Sequence, residues 1–127
     1  MPEVMTIDPS ESKPRNIGAS EHGTQVMCLD EPGPGGACHL YGMHVKATGD
    51  IQRIQFQKGP LQEAGPNGIF MEDLLVIVKD RLEGFQAGSF ACTENQNALD
   101  HVNSALQAMA ARTAKRKAAG TEGTSQK

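Results

Sequence analysis

The spacing of apolar residues changes along the chain from an alternating to a helical pattern. Residues 37–57 alternate weakly, with Ile54 and Phe56 facing the same way, and a Thr-Gly-Asp turn at 48–50 interrupts the alternation. Alternation on both sides of a glycine-containing turn is typical of a β-hairpin. Because an isolated hairpin is only marginally stable in water, this one is expected to pack on other elements.

From Met71 onwards the apolar residues follow three- and four-residue spacing, which predicts two helices. The second helix is expected to begin at Thr93, which forms a capping box with Gln96, and to run to about Ala119, where a glycine follows. The predicted inner stripes are Leu74, Leu75, Val78, Leu82 and Phe85 in the first helix, and Asn95, Ala98, Leu99, Val102, Ala105, Leu106 and Met109 in the second.

These patterns predict an α+β fold in which a small antiparallel β-hairpin or sheet precedes a long antiparallel helical hairpin. Residues 1–21 are polar, contain three prolines and are expected to form a flexible arm. Residues 22–68 are expected to form the β region, with a further short strand within 22–30 and loops rich in Gly and Pro. Residues 69–119 are expected to form the helical hairpin and residues 120–127 a polar tail.

The composition indicates a small hydrophobic core. Of the 127 residues 38% are hydrophobic and only 4% aromatic, with no Trp. A second helix of about 25 residues is about 37 Å long, so a shorter partner helix leaves part of it uncovered. We therefore expect the hairpin to oligomerise, with another chain covering the rest of the stripe.

Several broad classes of protein are disfavoured by the sequence. No apolar run approaches the length of about 18 residues that spans a membrane, and the N-terminus does not have the pattern of a secretory signal. Three scattered cysteines favour a reducing cytoplasm over a disulfide framework. A net charge of −3 and a pI near 5.8 argue against binding to DNA or RNA polymers.

The charge is nevertheless uneven, because residues 112–127 carry five Lys or Arg against a single Glu. Extending the second stripe past Met109 brings in Arg112 and Arg116, four residues apart on one helical face. Two neighbouring guanidinium groups suit a phosphate, the amide of Asn95 can both donate and accept, and the ring of Phe85 can stack on a base. The plainer alternatives are a core Phe85, an Asn95 that only caps the helix, and arginines that line a solvent groove or complement the helix dipole.

Metal and nucleophilic chemistry have little support in the sequence. The cysteines and histidines that could bind a metal do not have the paired spacing of a structural zinc site, so no metal site and no cofactor are expected. No Cys or Ser stands in a recognisable arrangement with His and an acid, and the glycine-rich loops do not match a phosphate-binding loop. The candidate ligands are Cys28, Cys38, His39, His44 and Cys92.

A series of short motifs follows in order over about residues 30–124. It includes Pro-Gly-Pro-Gly-Gly at 32–36, Ile-Gln-Phe-Gln-Lys-Gly-Pro at 54–60, Phe-Gln-x-Gly-x-Phe-x-Cys at 85–92 and Arg-Thr-x-x-Arg at 112–116. This series resembles the phage anti-defence sponge family, which comprises the Thoeris anti-defence proteins and the anti-CBASS sponges that share the helical hairpin.

The resemblance implies a protein without enzymatic activity that sequesters cyclic nucleotide immune messengers in the cytoplasm of an infected bacterial host. The messengers implied are glycocyclic ADP-ribose and cyclic di- and trinucleotides, and the implied assembly is a dimer-based homo-oligomer, a hexamer. In such a site Arg112 and Arg116 would hold the pyrophosphate, Phe85 would stack on adenine, and Asn95 would read ribose or base. A second ligand site, between protomers, would draw on the regions of Gly59 and Thr124.

Two other functions remain open at this point. An oligomeric interaction module could use the helical hairpin for assembly and the basic tail to contact an acidic partner. A cyclic nucleotide hydrolase is disfavoured, because neither a metal cluster nor a general base is predicted near the arginines.

Overall fold

The computed structural model of the protein describes residues 14–124, and the chain forms two compact units. The sheet unit contains the residues up to Gly59 together with Ala64–Ile69, and the helical unit contains Pro60–Glu63 together with the chain from Phe70 onwards. The strands lie in the first unit and the two long helices in the second. The α+β class is therefore confirmed.

Within the described residues, four strands form one antiparallel sheet in the order of the sequence. The strands β3 (Leu40–Val45) and β4 (Asp50–Gln55) form the predicted hairpin, with Leu40 opposite Gln55 and Val45 opposite Asp50. The turn between them closes where the Gly49 N–H donates to the Val45 carbonyl at 2.8 Å, and Gly49 has a φ of 77°, which glycine adopts without strain. The other two strands are β1 (Arg15–Ala19) and β2 (Thr24–Cys28).

The hydrophobic pattern does not predict β1. We expected a flexible arm over residues 1–21. Residues 1–13 lie outside the described part of the chain, whereas Arg15–Ala19 pair with β2. All five residues of β1 are exposed, so its pairing depends on main-chain hydrogen bonds at the sheet edge and leaves no apolar periodicity to detect.

The core of the sheet unit is small and lies at the end of β2. Cys28 and Leu29 are 1% and 0% exposed. A Cβ on Gly42 of β3 would lie 3.2 Å from Cδ1 of Leu29, so glycine leaves the space that Leu29 fills. Tyr41 and Phe56 pack edge to face, with their ring centroids 5.6 Å apart. Two aromatic rings and two buried side chains thus do much of the packing, as the composition indicates.

The loop after β4 returns along the end of that strand. The side chain of Asn67 accepts from the Lys58 N–H and donates to the Lys58 carbonyl, both at 2.7 Å. Gly68 lies so close to the strand that a Cβ there would be 2.5 Å from the carbonyl carbon of Phe56. The loop also contains a single helical turn, α1 (Leu61–Ala64), which is too short to produce a periodic pattern.

The helical unit is a hairpin of α2 (Met71–Gln86) and α3 (Thr93–Ala118), joined by residues 87–92. The cap of α3 is Cys92 and not Thr93, because the Cys92 Sγ accepts from the Asn95 N–H at 3.4 Å. Thiol sulfur is a weak acceptor, so the sequence pattern favoured the hydroxyl next to it. The Gln86 side chain fixes the turn by bonding both the N–H and the carbonyl of Cys92, at 3.0 and 3.1 Å. Over residues 14–124 no helix is both long and apolar enough to cross a membrane.

Candidate functional site

Phe85 lies at the turn end of the helical hairpin, on the last turn of α2. Its ring meets the ring of Phe90 edge to face, with the centroids 6.3 Å apart, and the guanidinium carbon of Arg81 lies 5.5 Å from its centroid. Phe85 is 39% exposed and Phe90 is 73% exposed. Two aromatic rings and a cation therefore form an exposed surface that suits a planar base.

Asn95 belongs to the same end of the hairpin. Its side chain is half-buried, and its Nδ2 donates to the carbonyl of Phe90 at 3.3 Å. Its own N–H is the group that Cys92 caps. We call Phe85, Phe90 and Asn95 the tip cluster. Helix capping, which the sequence offered as an alternative role for Asn95, is performed by Cys92.

Arg116 lies on the last turn of α3 and is bound to the segment that follows the helix. Its Nε donates to Oε2 of Glu122 at 3.3 Å, and its Nη2 donates to the carbonyls of Thr121 and Thr124 at 2.7 and 2.9 Å. The same segment closes the helix, because Gly120 and Thr121 donate N–H groups to the carbonyls of Lys117 and Arg116 in a Schellman arrangement. The Arg116 side chain is consequently only 15% exposed.

Arg112 has a different environment from Arg116. It is exposed, whereas Met109, Thr113 and Arg116 continue the half-buried side of α3. The expectation that both arginines face the core side therefore holds for Arg116 alone. We call Arg112 and Arg116 the base cluster, since both lie in the last two turns of α3, away from the hairpin turn.

The tip and base clusters lie at opposite ends of α3. From Asn95 to Arg112 the helix rises by about 26 Å, at about 1.5 Å per residue. This exceeds the reach of a ligand the size of a single nucleotide or cyclic dinucleotide. One chain therefore brings Phe85 together with Asn95, and Arg112 close to Arg116, but does not bring the two pairs together.

The residues expected at a second ligand site lie in different units. Gly59 lies in the sheet unit with a φ of 84°, and its carbonyl accepts from the Gln57 side chain at 3.1 Å. Thr124 lies in the helical unit, where its Oγ1 donates to the Thr121 carbonyl at 2.6 Å. The bond from Arg116 to Thr124 links Thr124 to the base cluster within the helical unit.

An exposed apolar stripe runs along α2, and it includes Val78 and Phe85, which the spacing predicts for the inner stripe. Met71, Val78 and Phe85 recur every seven residues, and they are 59%, 43% and 39% exposed. Seven-residue spacing keeps side chains on nearly one line of a helix and is the pattern by which a second helix packs. The stripe ends at Phe85, so it is continuous with the tip cluster.

A third group of polar side chains lies in the sheet unit, where Cys28, Asp30 and Cys38 place their ligand atoms within 4.8 Å of one another. A side-chain hydrogen bond with Cys28, followed by desolvation, raises the pKa of the Cys38 thiol above its ordinary value. Burial likewise raises the pKa of the neighbouring Tyr41. The cysteines are ten positions apart in the sequence, which is why paired-ligand spacing did not reveal the group.

Three further residues at these clusters were not selected from the sequence. Arg81 covers Phe85, Phe90 packs against it, and Glu122 pairs with Arg116. The i to i+4 spacing of Arg81 and Phe85 on one helical face could have indicated their contact. Glu122 lies beyond the helix, where no periodicity operates, so its contact with Arg116 had no signal in the pattern.

Comparison with known proteins finds one matching family and one similar phage protein. Residues 49–114, a little over half of the chain, match the family model described as the Acb2/Tad1 hairpin domain. The chain is also similar to the protein named Thoeris anti-defense 1 from Bacillus phage SBSphiJ7, at 42% identity over 80 residues. That alignment covers 63% of this chain and 56% of the phage protein, so the chain spans little more than half of that relative.

Proposed function

The chain belongs to the Acb2/Tad1 hairpin-domain family, and from that membership we propose that it is a phage anti-defence protein acting in the infected bacterial host. It binds cyclic nucleotide immune messengers and holds them without cleaving them, so that the host effector is deprived of its activator. Glycocyclic ADP-ribose is the first candidate ligand, and cyclic di- and trinucleotides follow.

The observation that carries this proposal is the division of the expected ligand residues between the two ends of the helical hairpin. The tip cluster offers rings and an amide, which suit the nucleobase and ribose of a ligand. The base cluster offers guanidinium groups, which suit its phosphates. Because the two lie about 26 Å apart along one helix, a complete site takes the tip of one chain and the base of another. Such a site closes round its ligand only in an oligomer.

The surface for that assembly is the apolar stripe of α2. Met71, Val78 and Phe85 expose between 39% and 59% of their area on a line that suits another helix. A second copy of the chain, packed along this stripe, would bury it and extend to Phe85. A dimer-based homo-oligomer, a hexamer in our proposal, thus supplies both the missing apolar cover and the second half of the ligand site.

The two arginines of the base cluster differ in how readily they can bind a phosphate. Arg112 is exposed and can turn both donor edges of its guanidinium towards a pyrophosphate. Arg116 already bonds Glu122 and two carbonyls, so a phosphate that binds its Nε must replace the Glu122 carboxylate. Arg112 therefore makes the first contact with the anion. The second site, at Gly59 and Thr124, would hold cyclic trinucleotides at a junction between protomers.

Native mass spectrometry of the purified full chain with a panel of cyclic nucleotides tests the proposal. We expect one glycocyclic ADP-ribose per chain in an oligomer, and the same ligand recovered intact after the protein is denatured. Phe85→Leu should weaken binding of that ligand by about five- to 150-fold, because stacking on one base contributes about 1–3 kcal/mol. Glu94→Gln, at the exposed start of α3, serves as the control for general effects of substitution.

Two outcomes would overturn the proposal. Recovery of a hydrolysed ligand would indicate a cyclic nucleotide hydrolase. Absence of binding by every member of the panel, with the oligomer intact, would leave the interaction module, whose basic end contacts an acidic partner, as the better account of the exposed stripe.

A further inference from the structure

Two cysteines and an aspartate meet at the end of β2 in the sheet unit. Cys28 ends the strand, Asp30 follows two residues later, and Cys38 stands two residues before β3. Cys28 Sγ lies 3.7 Å from Oδ1 of Asp30, and all three ligand atoms are within 4.8 Å of one another. Three metal-ligating groups therefore converge from the two ends of one loop.

We propose that Cys28, Asp30 and Cys38 bind a zinc ion whose fourth position is held by water. Zinc takes thiolate sulfur at about 2.3 Å and carboxylate oxygen at about 2.0–2.2 Å in tetrahedral geometry. Those bond lengths place a sulfur and an oxygen ligand about 3.5 Å apart, close to the 3.7 Å between Cys28 and Asp30. Two thiol protons pass to solvent as the two Zn–S bonds form.

The groups around the three ligands suit the bound ion. The His39 N–H donates to both carboxylate oxygens of Asp30 at 3.1 Å, which fixes the plane of that carboxylate. Nη2 of Arg15 lies 3.4 Å from the Cys38 Sγ. Zinc with two thiolates and one carboxylate carries a net charge of −1, and the guanidinium of Arg15 neutralises it. Arg15 is therefore expected to stabilise the zinc-bound form of the site.

A zinc ion at this position would reinforce a thin core. Cys28 and Leu29 are the fully buried side chains in the described residues, and the loop that follows them is rich in Pro and Gly. The ion would join the end of β2 to the start of β3 across that loop. Metal binding in small units contributes directly to folding free energy, so zinc should stabilise the sheet unit in particular.

Titration of Co²⁺ into the reduced, metal-free full chain tests the site. We expect thiolate-to-cobalt charge-transfer absorption together with the visible bands of tetrahedral Co²⁺. Both signals should saturate at one Co²⁺ per chain and disappear when Zn²⁺ displaces the cobalt. Asp30→Asn, which keeps an acceptor for the His39 N–H, and Arg15→Gln should each weaken Co²⁺ binding by about tenfold or more. Cys38→Ser should abolish the charge-transfer band.

Cys92→Ser is the matched control, since Cys92 is exposed and lies in the helical unit. It should leave the titration unchanged, and circular dichroism should show the same secondary structure in each variant. The proposal is overturned if Cys38→Ser binds Co²⁺ as the unsubstituted chain does, or if the reduced chain binds none. Formation of a Cys28–Cys38 disulfide on treatment with a small-molecule disulfide, without metal uptake, would identify a redox pair instead.

Discussion

Arg116 and Glu122 form an ion pair across the end of α3, with Nε of the arginine 3.3 Å from Oε2 of the glutamate. The glutamate thereby takes a position on the guanidinium that a ligand phosphate would need. Because Nη2 of Arg116 is bound to two carbonyls as well, the cation expected to bind a messenger is also the one that holds the end of the described chain in place.

Removing the carboxylate of Glu122 should therefore strengthen ligand binding. For Glu122→Gln we expect about two- to fivefold tighter binding of glycocyclic ADP-ribose in calorimetry, since a partly exposed ion pair is worth about 0.5–1 kcal/mol. Glu94→Gln removes the same charge far from the base cluster. Equal affinities for the two variants would show that Glu122 does not compete with the ligand.

Replacing Arg112 and replacing Arg116 should have different effects on the stability of the protein. Arg112→Ala should abolish ligand binding while leaving the melting temperature unchanged, because Arg112 is exposed. Arg116→Ala should weaken binding and also lower the free energy of unfolding by about 1–3 kcal/mol, because the two hydrogen bonds from its Nη2 to the carbonyls of Thr121 and Thr124 are lost. Lys115→Ala, an exposed neighbour, is the control for both measurements. An unchanged melting temperature for Arg116→Ala would contradict this account.

A charge placed on the apolar stripe should disrupt the proposed oligomer. For Val78→Asp we expect a lower molar mass in light scattering, together with loss of ligand binding, because a composite site needs two chains. Val76→Asp is a matched control, since Val76 is 53% exposed on the same helix but lies about 160° round from Val78. If Val76→Asp dissociated the oligomer and Val78→Asp did not, the stripe would not be the interface.

Glycine at position 68 should be essential for the stability of the sheet unit. In Gly68→Ala the new Cβ would lie 2.5 Å from the Phe56 carbonyl carbon and 2.6 Å from the Gln55 oxygen, so the backbone must move. We expect a loss of about 1–3 kcal/mol in chemical denaturation. Gly84→Ala, where nothing lies within 4 Å and the residue is helical, should gain up to about 1 kcal/mol. Similar stabilities for the two variants would contradict the close approach.

The sequence indicated the elements whose signals are periodic. Alternation around Gly49 predicted β3 and β4, and three- and four-residue spacing predicted α2 and α3 to within a residue or two. β1 was missed because an exposed edge strand is held by main-chain bonds. The cap of α3 was misplaced by one residue because a cysteine performs a role that a threonine beside it performs more often.

The candidate site was predictable in its residue types but not in its arrangement. Four-residue spacing placed Arg112 and Arg116 on one face, yet only Arg116 is half-buried, because the segment after the helix folds back over it. The contacts of Glu122 and of Cys28 with Cys38 depend on how loops close. Loop closure is determined by individual hydrogen bonds, so hydrophobic periodicity carries no information about it.

The length of α3 has a genetic consequence. In the proposed two-fold pair, each composite site would take its tip from one chain and its base from the other, so every chain would contribute one half to each of two sites. Mixed pairs of Phe85 and Arg112 variants would then contain one doubly damaged site and one intact site. Lesions at opposite ends of the hairpin would complement each other in a co-infected cell, whereas two lesions at the same end would not.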